Sequence, residues 1–148
     1  LEEVAEVSVL NANYLARKLA QVRGFELPFA DKPRKHEFVV SSAKMRRETG
    51  VTALEVSKRL LDFGIHAPTV YFPLIVDEAM MVEPTETVSK QMLDETLEAI
   101  SGIADEAYTN PAVVKAAPSK AAVTRIDEAR ASHPKTMQLT WSRMPQSV

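Results

Sequence analysis

The stretch from Gly50 to Thr87 constrains the fold of this chain more than any other part of it. It opens with Thr52 and Glu55, which stand three residues apart. That is the spacing of a capping box, in which the hydroxyl and the carboxylate each accept a backbone N–H at the start of a helix. Gly64 suits the left-handed conformation at which many helices end. The pattern therefore predicts a helix that begins after Thr52 and stops at Gly64.

The two faces of this predicted helix follow from the spacing of its apolar residues. We expect the apolar side chains to face the core, namely Leu54, Val56, Leu60 and Leu61. We expect the charged side chains to face solvent, namely Lys58, Arg59 and Asp62.

Four short segments have the β-branched and aromatic content of strands. They comprise residues 25–29, 36–42, 70–72 and 80–83. Pro28 confines the first segment to a sheet edge, while Pro73 and Pro84 stop the last two. Before the third segment, Pro68 favours an extended conformation of Ala67.

A helix over residues 1–22 is predicted to be apolar around most of its circumference. Such a helix is normally buried on several sides, so we expect part of its cover to lie outside this chain. A second long helix is predicted over residues 87–108, with Thr85 or Thr87 as its N-cap and Asn110-Pro111 at its end.

Shorter segments complete the prediction. They comprise a helical turn or loop over 44–49, a helical turn and loop over 112–123, a helix over 125–131 that His133-Pro134 stops, and an extended tail anchored by Trp141. Strands segregated between helices indicate an α+β domain with a short, mostly antiparallel sheet.

Composition excludes several classes of function. The chain has 148 residues, no cysteine and a net charge of −2. It therefore has neither disulfides nor thiolate metal sites, and no basic field that would attract nucleic acid. No apolar run approaches the roughly 20 residues that span a bilayer, so no membrane partner is expected. The absence of cysteine fits a reducing compartment, and we expect a cytoplasmic protein.

No complete active site is evident from the residues alone. None of the three histidines, His36, His66 and His133, stands in a metal-binding spacing such as HExxH. Neither a Gly-x-Ser-x-Gly turn nor a glycine-rich phosphate loop is present. The nine lysines lie among polar or charged neighbours, whereas a Schiff-base lysine needs desolvation or an adjacent cation. We therefore assign no catalytic residue and no metal ligand.

Two clusters of charge have structural interpretations, which we prefer to a catalytic pair of carboxylates for the first and to nucleic-acid binding for the second. Asp77, Glu83 and Glu86 flank the fourth predicted strand, and Glu86 suits the start of the following helix. The basic residues at 44, 46 and 47 lack interleaved aromatic residues, so we interpret them as a solvated surface.

The sequence resembles a known family over the region from Leu1 to about Trp141. The resemblance is carried by the stretch from Gly50 to Thr87, together with AEVSVLNANYLARKL and HEFVVS upstream. These segments are similar to the C-terminal region of glycine dehydrogenase (decarboxylating), the P-protein of the glycine cleavage system. The similarity is greatest to the second of the two subunits found in many bacteria.

The resemblance implies an oxidoreductase that depends on pyridoxal phosphate and has the aspartate-aminotransferase fold, fold type I. The family decarboxylates glycine and transfers the aminomethyl group to the lipoyl arm of H-protein. Its large domain carries the Schiff-base lysine, usually after a histidine, and this chain has no His-Lys pair. The resemblance therefore implies an interdomain helix over 1–24 and a small C-terminal domain over 25–148, without the large domain. We expect this fragment alone to be inactive.

The implied partners are P-protein subunit 1, the rest of subunit 2 and lipoylated H-protein. Candidate residues near the substrate or cofactor are His36, His66, Thr69, Glu83 and Thr85. We expect the turn 66–69 and the segment 83–85 to lie together, facing the large domain. Alternatives remain open: His66 only closes its turn, or the domain serves dimerisation or H-protein docking, or belongs to another fold-type-I enzyme.

One departure from the wider superfamily concerns the substrate carboxylate. Many fold-type-I enzymes hold it with an arginine on the strand before the last long helix. The corresponding strand here, Ala79 to Glu83, has no arginine. Because glycine loses its carboxylate as carbon dioxide, we hypothesise that the site gains from not holding that anion tightly.

Overall fold

A three-stranded antiparallel sheet and the helices packed around it make up the computed structural model, which describes residues 1–137. The strands are β1 (Phe38–Ser41), β2 (Thr69–Val70) and β3 (Ala79–Val82). The helices are α1 (Glu2–Leu19), α2 (Ala43–Thr49), α3 (Ala53–Leu61), α4 (Lys90–Thr109), α5 (Pro111–Lys115), α6 (Glu128–Ser132) and α7 (Pro134–Met137). The expected α+β class with a short antiparallel sheet is confirmed. The predicted anchor Trp141 lies outside the described residues.

The order of the strands is β1-β3-β2, with β3 antiparallel to both neighbours. Phe38 lies opposite Val82, and Thr69 lies opposite Met81. Because β2 and β3 form a hairpin, the residues that precede β2 and those that follow β3 meet at the same end of the sheet. This topology places the turn at His66 beside Glu83.

The predicted edge strand over residues 25–29 was wrong. Within it only Glu26 forms a bridge, to Ser41. Pro28 has no N–H to donate, and Phe29 has a φ of 54°, so the chain leaves the extended conformation. The segment predicted over 70–72 is also shorter than expected, because Tyr71 has a φ of 60° and turns the chain after Val70.

The core lies between α1, the sheet, α3 and α4. Helix α1 contributes Ala12, Leu15, Ala16 and Leu19, each at most 1% exposed. The other elements contribute Val40, Val56, Leu60, Met80, Ile100 and Ile103, among others. On the opposite face of α1 Leu10 is 67% exposed, and Val4, near the start of the helix, is 41% exposed. The predicted helix over residues 1–22 therefore forms, with one apolar face covered within this chain and another uncovered.

Both predicted boundary signals of α3 are confirmed. The Thr52 hydroxyl accepts the N–H of Glu55 at 3.3 Å, and the Glu55 carboxylate accepts the N–H of Thr52 at 2.8 Å. Gly64 has a φ of 73°. Around it, Ile65 donates to the Leu60 carbonyl and Gly64 donates to the Leu61 carbonyl, the two bonds of a Schellman motif.

The expectation that Arg59 and Asp62 face solvent was wrong, since each is only 8% exposed. Arg59 donates to both carboxylate oxygens of Glu106 on α4, at 2.9 and 2.8 Å, and to Asp62 at 2.8 Å. Asp62 also accepts the backbone N–H groups of Ser119 and Lys120, at 2.8 and 2.7 Å. These partners satisfy the buried charges, so the helical face that sequence spacing leaves polar is covered by α4 and the chain after α5. Leu61, predicted for the core, is 39% exposed.

The predicted N-cap of α4 was also wrong. Ser89 caps this helix, and its hydroxyl accepts the N–H of Met92 at 3.2 Å. The hydroxyls of Thr85 and Thr87 instead bond to each other at 2.8 Å. The chain makes a turn from Thr85 to Val88 before α4 begins, which moves the helix start three residues beyond the expected position.

Several shorter predictions are resolved by the structure. Residues 43–49 form helix α2, and the helical turn expected within 112–123 is α5. The helix predicted over 125–131 is observed as α6, which ends before His133, although Pro134 then opens the short helix α7. Among the described residues, no helix has both the length and the apolar character needed to cross a bilayer.

Replacing Thr52 with alanine is expected to lower the free energy of unfolding by about 1 kcal/mol, the usual cost of losing an N-cap. Urea denaturation of both proteins measures the difference. Thr87→Ala is the matched control, because its hydroxyl bonds only to another surface hydroxyl among the interactions described, and a change within about 0.5 kcal/mol is expected. Equal effects of the two substitutions would show that the cap does not stabilise α3.

Candidate functional site

A cavity of about 500 Å³ opens where β2 begins and β3 ends. Its polar lining includes three predicted site residues, His66, Thr69 and Glu83, all of them exposed. The apolar lining comes from α1, β3, α4 and the loops between them: Leu15, Ile65, Pro68, Met81, Val82, Pro84, Val88, Met92 and Leu93. The antiparallel hairpin therefore brings the turn at His66 and the segment at Glu83 to one cavity.

A second cavity, of about 430 Å³, lies on the other side of the same segment. It is lined by the remaining predicted site residues, His36 and Thr85, together with Ala5, Ser8, Val9, Lys35, Glu83, Pro84 and Glu86. Glu83 and Pro84 line both cavities. The five predicted site residues are thus divided between two neighbouring cavities, with Glu83 between them.

Two of the predicted site residues, His36 and Glu83, form a polar contact in the second cavity. The Nε2 atom of His36 lies 3.6 Å from Oε1 of Glu83, and both side chains are more than half exposed. A pair of this kind is charged only when the imidazole is protonated, and its exposure limits its contribution to roughly 0–1 kcal/mol. The pair therefore contributes little to the stability of the fold.

Asn11 is a part of this region that sequence reasoning missed. Its side-chain amide donates to the carbonyls of Thr85 and Val88, at 2.9 and 3.0 Å. Through these bonds α1 holds the turn that follows Glu83 and Pro84. The available signal was a polar amide at a position where the helical period of α1 predicts burial.

The chemistry of the first cavity is that of a small polar ligand site with an apolar wall. The imidazole of His66 and the hydroxyl of Thr69 can each donate or accept a hydrogen bond. The carboxylate of Glu83 can accept a hydrogen bond from a cationic group. The cavity therefore offers a carboxylate for an ammonium group and, among the described residues, neither a lysine nor an arginine for an anion.

The other charged residues singled out in the sequence lie elsewhere. Asp77 precedes β3, at the end of the strand opposite Glu83, and lies 3.7 Å from Arg46. Arg46 donates to the buried Glu78 at 2.8 Å, so this member of the basic segment has a structural role. Within residues 1–137, no group of three or more histidine or acidic side chains is arranged to hold a metal ion.

Comparison with known proteins places this arrangement in a family. Residues 4–124 match the family model for the glycine dehydrogenase C-terminal domain. A probable glycine dehydrogenase (decarboxylating) subunit 2 from Pyrococcus abyssi is 62% identical over 141 residues, which are 95% of this chain and 28% of that protein. A protein of the same name from Thermococcus gammatolerans is 63% identical over 88% of this chain and 26% of that protein. Another, from Coxiella burnetii, is 47% identical over 95% of this chain and 28% of that protein.

This chain thus spans only about 28% of the length of such relatives. The match covers α1, the sheet, α3, α4 and both cavities. It agrees with the similarity of the segments from Ala5 to Leu19 and from Gly50 to Thr87 on which the expectation was based. The chain belongs to the family of the glycine dehydrogenase C-terminal domain.

Proposed function

We propose that this domain is the C-terminal part of a pyridoxal-phosphate-dependent glycine decarboxylase, the P-protein of the glycine cleavage system. The intact enzyme releases carbon dioxide from glycine and passes the aminomethyl group to the lipoyl arm of H-protein. The observation that carries the proposal is the 62% identity to a subunit 2 across 95% of this chain. Within this domain, the cavity beside His66 and Glu83 is where we propose that the substrate side of the site lies.

The described residues of the cavity do not fit covalent attachment of pyridoxal phosphate. A Schiff base needs a lysine, and none lines this cavity. Lys90, on nearby α4, is exposed and paired with Asp94, whose carboxylate raises the pKa of Lys90 and keeps it protonated. The attachment of the cofactor therefore belongs to the rest of the enzyme, and the fragment alone is expected to be inactive.

The role proposed for this domain is to bind and orient the substrate side of the site. Glu83 accepts a hydrogen bond from an ammonium group, and His66 and Thr69 supply polar contacts to glycine or to the lipoyl arm. His36 and Thr85 act beside Glu83 from the second cavity. The prolines Pro68 and Pro84 stiffen both loops, which suits groups that must be held in place.

The proposed partner of α1 is the rest of subunit 2. The exposed residues Val9 and Leu10 line an open groove along this helix that nothing in the described residues covers. Residues 1–24 then act as the interdomain helix of a fold-type-I enzyme, and residues 25–148 act as its small domain, in the cytoplasm. P-protein subunit 1 and lipoylated H-protein complete the proposed assembly.

A docking role, for H-protein or for dimerisation, is the second candidate function. It is favoured by the loop between β2 and β3, where Phe72, Leu74 and Ile75 are 55%, 91% and 87% exposed. Contiguous exposed apolar residues often mark interaction sites. This loop lies at the end of the hairpin away from the His66 cavity, so a docking role does not exclude the first proposal.

The experiment that tests the proposal replaces His66 with glutamine in the assembled enzyme. Glutamine keeps a hydrogen-bonding group but places it differently from the imidazole ring, so we expect glycine decarboxylation to fall roughly 100-fold, as a displacement of about 1 Å in a site can cause. The melting temperature should stay unchanged, because His66 is exposed. Activity is measured as exchange of labelled carbon dioxide with glycine.

His133→Gln is the matched control, since His133 lies between α6 and α7 and lines neither cavity. We expect this variant to retain the activity of the parent enzyme. Normal turnover by the His66 variant, accompanied by a lower melting temperature, would make His66 a turn residue only.

A further inference from the structure

We propose that Asn11 is a positioning residue of this site, which holds Glu83 in place between the two cavities by binding the turn that follows it. The inference rests on the proposed function, because it assigns a role within the same site. Asn11 itself lines neither cavity.

The hydrogen bonds of Asn11 connect α1 to a single turn far along the chain. The side-chain amide of Asn11 is a double donor, to the Thr85 carbonyl at 2.9 Å and to the Val88 carbonyl at 3.0 Å. The N–H of Val88 also donates to the Thr85 carbonyl at 3.2 Å, so both acceptors belong to one turn. Asn11 is 8% exposed, so its amide is largely shielded from competing water even though Thr85 itself is exposed.

Glu83 is held from both sides as a result. Before it, β3 ends at Val82, which pairs with Phe38 of β1. After it come Pro84, which is buried and has a fixed φ, and Thr85, whose carbonyl is bound by Asn11. The backbone of Glu83 therefore has one attachment to the sheet and another to α1. Loss of the second attachment would free the turn and let the carboxylate move away from His36 and His66.

The packing of α1 does not itself require an amide at this position. Ala12, Leu15, Ala16 and Leu19 already bury the inner face of the helix, and Tyr14 donates a hydrogen bond to Asp94 of α4. Burial of an amide is unfavourable unless its polar atoms find partners, whereas an apolar side chain of similar size has no such requirement. The two carbonyls of the turn supply the reason for an amide here.

The test uses the intact enzyme with Asn11→Leu and, separately, Asn11→Asp. Leucine has a similar volume but no donor, and aspartate has the same shape but presents oxygen atoms to both carbonyls. We expect kcat/KM for glycine decarboxylation to fall at least tenfold in each, since a displacement of about 1 Å in a site can cost roughly 100-fold. Both kcat and KM should change, and both are measured alongside the melting temperature.

Thr49→Ala is the matched control for a general loss of stability. The Thr49 hydroxyl also makes two hydrogen bonds to the backbone, to the Met45 carbonyl at 2.8 Å and from the Val51 N–H at 3.2 Å, and it lines neither cavity. We expect a lower melting temperature with kcat/KM within roughly twofold of the parent enzyme.

The inference is overturned if the Asn11 variants lose stability but keep the parent kcat/KM per folded molecule, as Thr49→Ala does. If Asn11→Leu does not fold, Asn11→Asp decides, and failure of both to fold would assign Asn11 to the core alone. A parent enzyme with no glycine turnover would refute the proposed function, and with it the inference, before any variant is compared.

Discussion

Replacing Arg59 with methionine is expected to lower the free energy of unfolding by about 3–5 kcal/mol, the range found when one partner of a buried ion pair is removed. The side chain of Asp62 is fully buried and loses its cation in this variant. Burial opposes ionisation of Asp62, but the N–H of Lys120 and the guanidinium of Arg59 together hold its pKa below the ordinary value. The carboxylate therefore stays charged in the native protein, and removing the cation beside it is costly. Urea denaturation followed by circular dichroism measures the loss.

Lys58→Met is the matched control, one residue away on the same helix. Lys58 lies 3.4 Å from Glu128, and the two side chains are 27% and 59% exposed, against 10% and 0% for Arg59 and Asp62. A pair with one solvated partner contributes little, so we expect a change below about 1 kcal/mol. Similar losses for the two variants would contradict the conclusion that Arg59, Asp62 and Glu106 form a buried cluster on which α3 and α4 depend.

Introducing arginine at Met81 is expected to lower kcat for glycine roughly tenfold to 100-fold in the intact enzyme. Met81 is partly buried on β3 and lines the 500 Å³ cavity. A charge-assisted hydrogen bond to the carboxylate of bound glycine is worth about 1.5–3 kcal/mol. That bond stabilises the substrate and is lost as carbon dioxide leaves, so it raises the barrier by a similar amount. We therefore expect KM to fall together with kcat.

Met81→Gln is the control, because glutamine has a similar length and no charge. We expect its kcat to lie much closer to that of the parent enzyme. Steady-state kinetics over a range of glycine concentrations separates kcat from KM for both variants. Unchanged glycine turnover by Met81→Arg would count against the hypothesis that the site avoids holding the substrate carboxylate.

Local signals in the sequence predicted the boundaries of α3 correctly. The capping box of Thr52 and Glu55 and the left-handed Gly64 each act within a few residues of themselves, so their outcome does not depend on the rest of the fold. The antiparallel sheet followed from segments such as 36–42 and 80–83, which became β1 and β3. The pairing of β3 with β2 explains why His66, Thr69 and Glu83 line a single cavity.

Local signals were misleading where a distant partner changes the outcome. The polar face of α3 was expected in solvent, yet Glu106 and the N–H groups of Ser119 and Lys120 bury Arg59 and Asp62. These partners lie about 45 to 60 residues along the chain, beyond the reach of any periodic pattern. The N-cap of α4 was misplaced for the same kind of reason, because Asn11 holds the chain from Thr85 to Val88 in a turn.

The sequence by itself determined the α+β class, the ends of α3 and the family resemblance. The tertiary structure alone decided which polar residues are buried, that Glu83 stands between two cavities and that α1 holds the turn beside it. The physical reason is the range of the interactions. Helix caps and turns are settled within about one helical turn, whereas a buried charge or amide is stable only if packing brings it a partner from elsewhere in the chain.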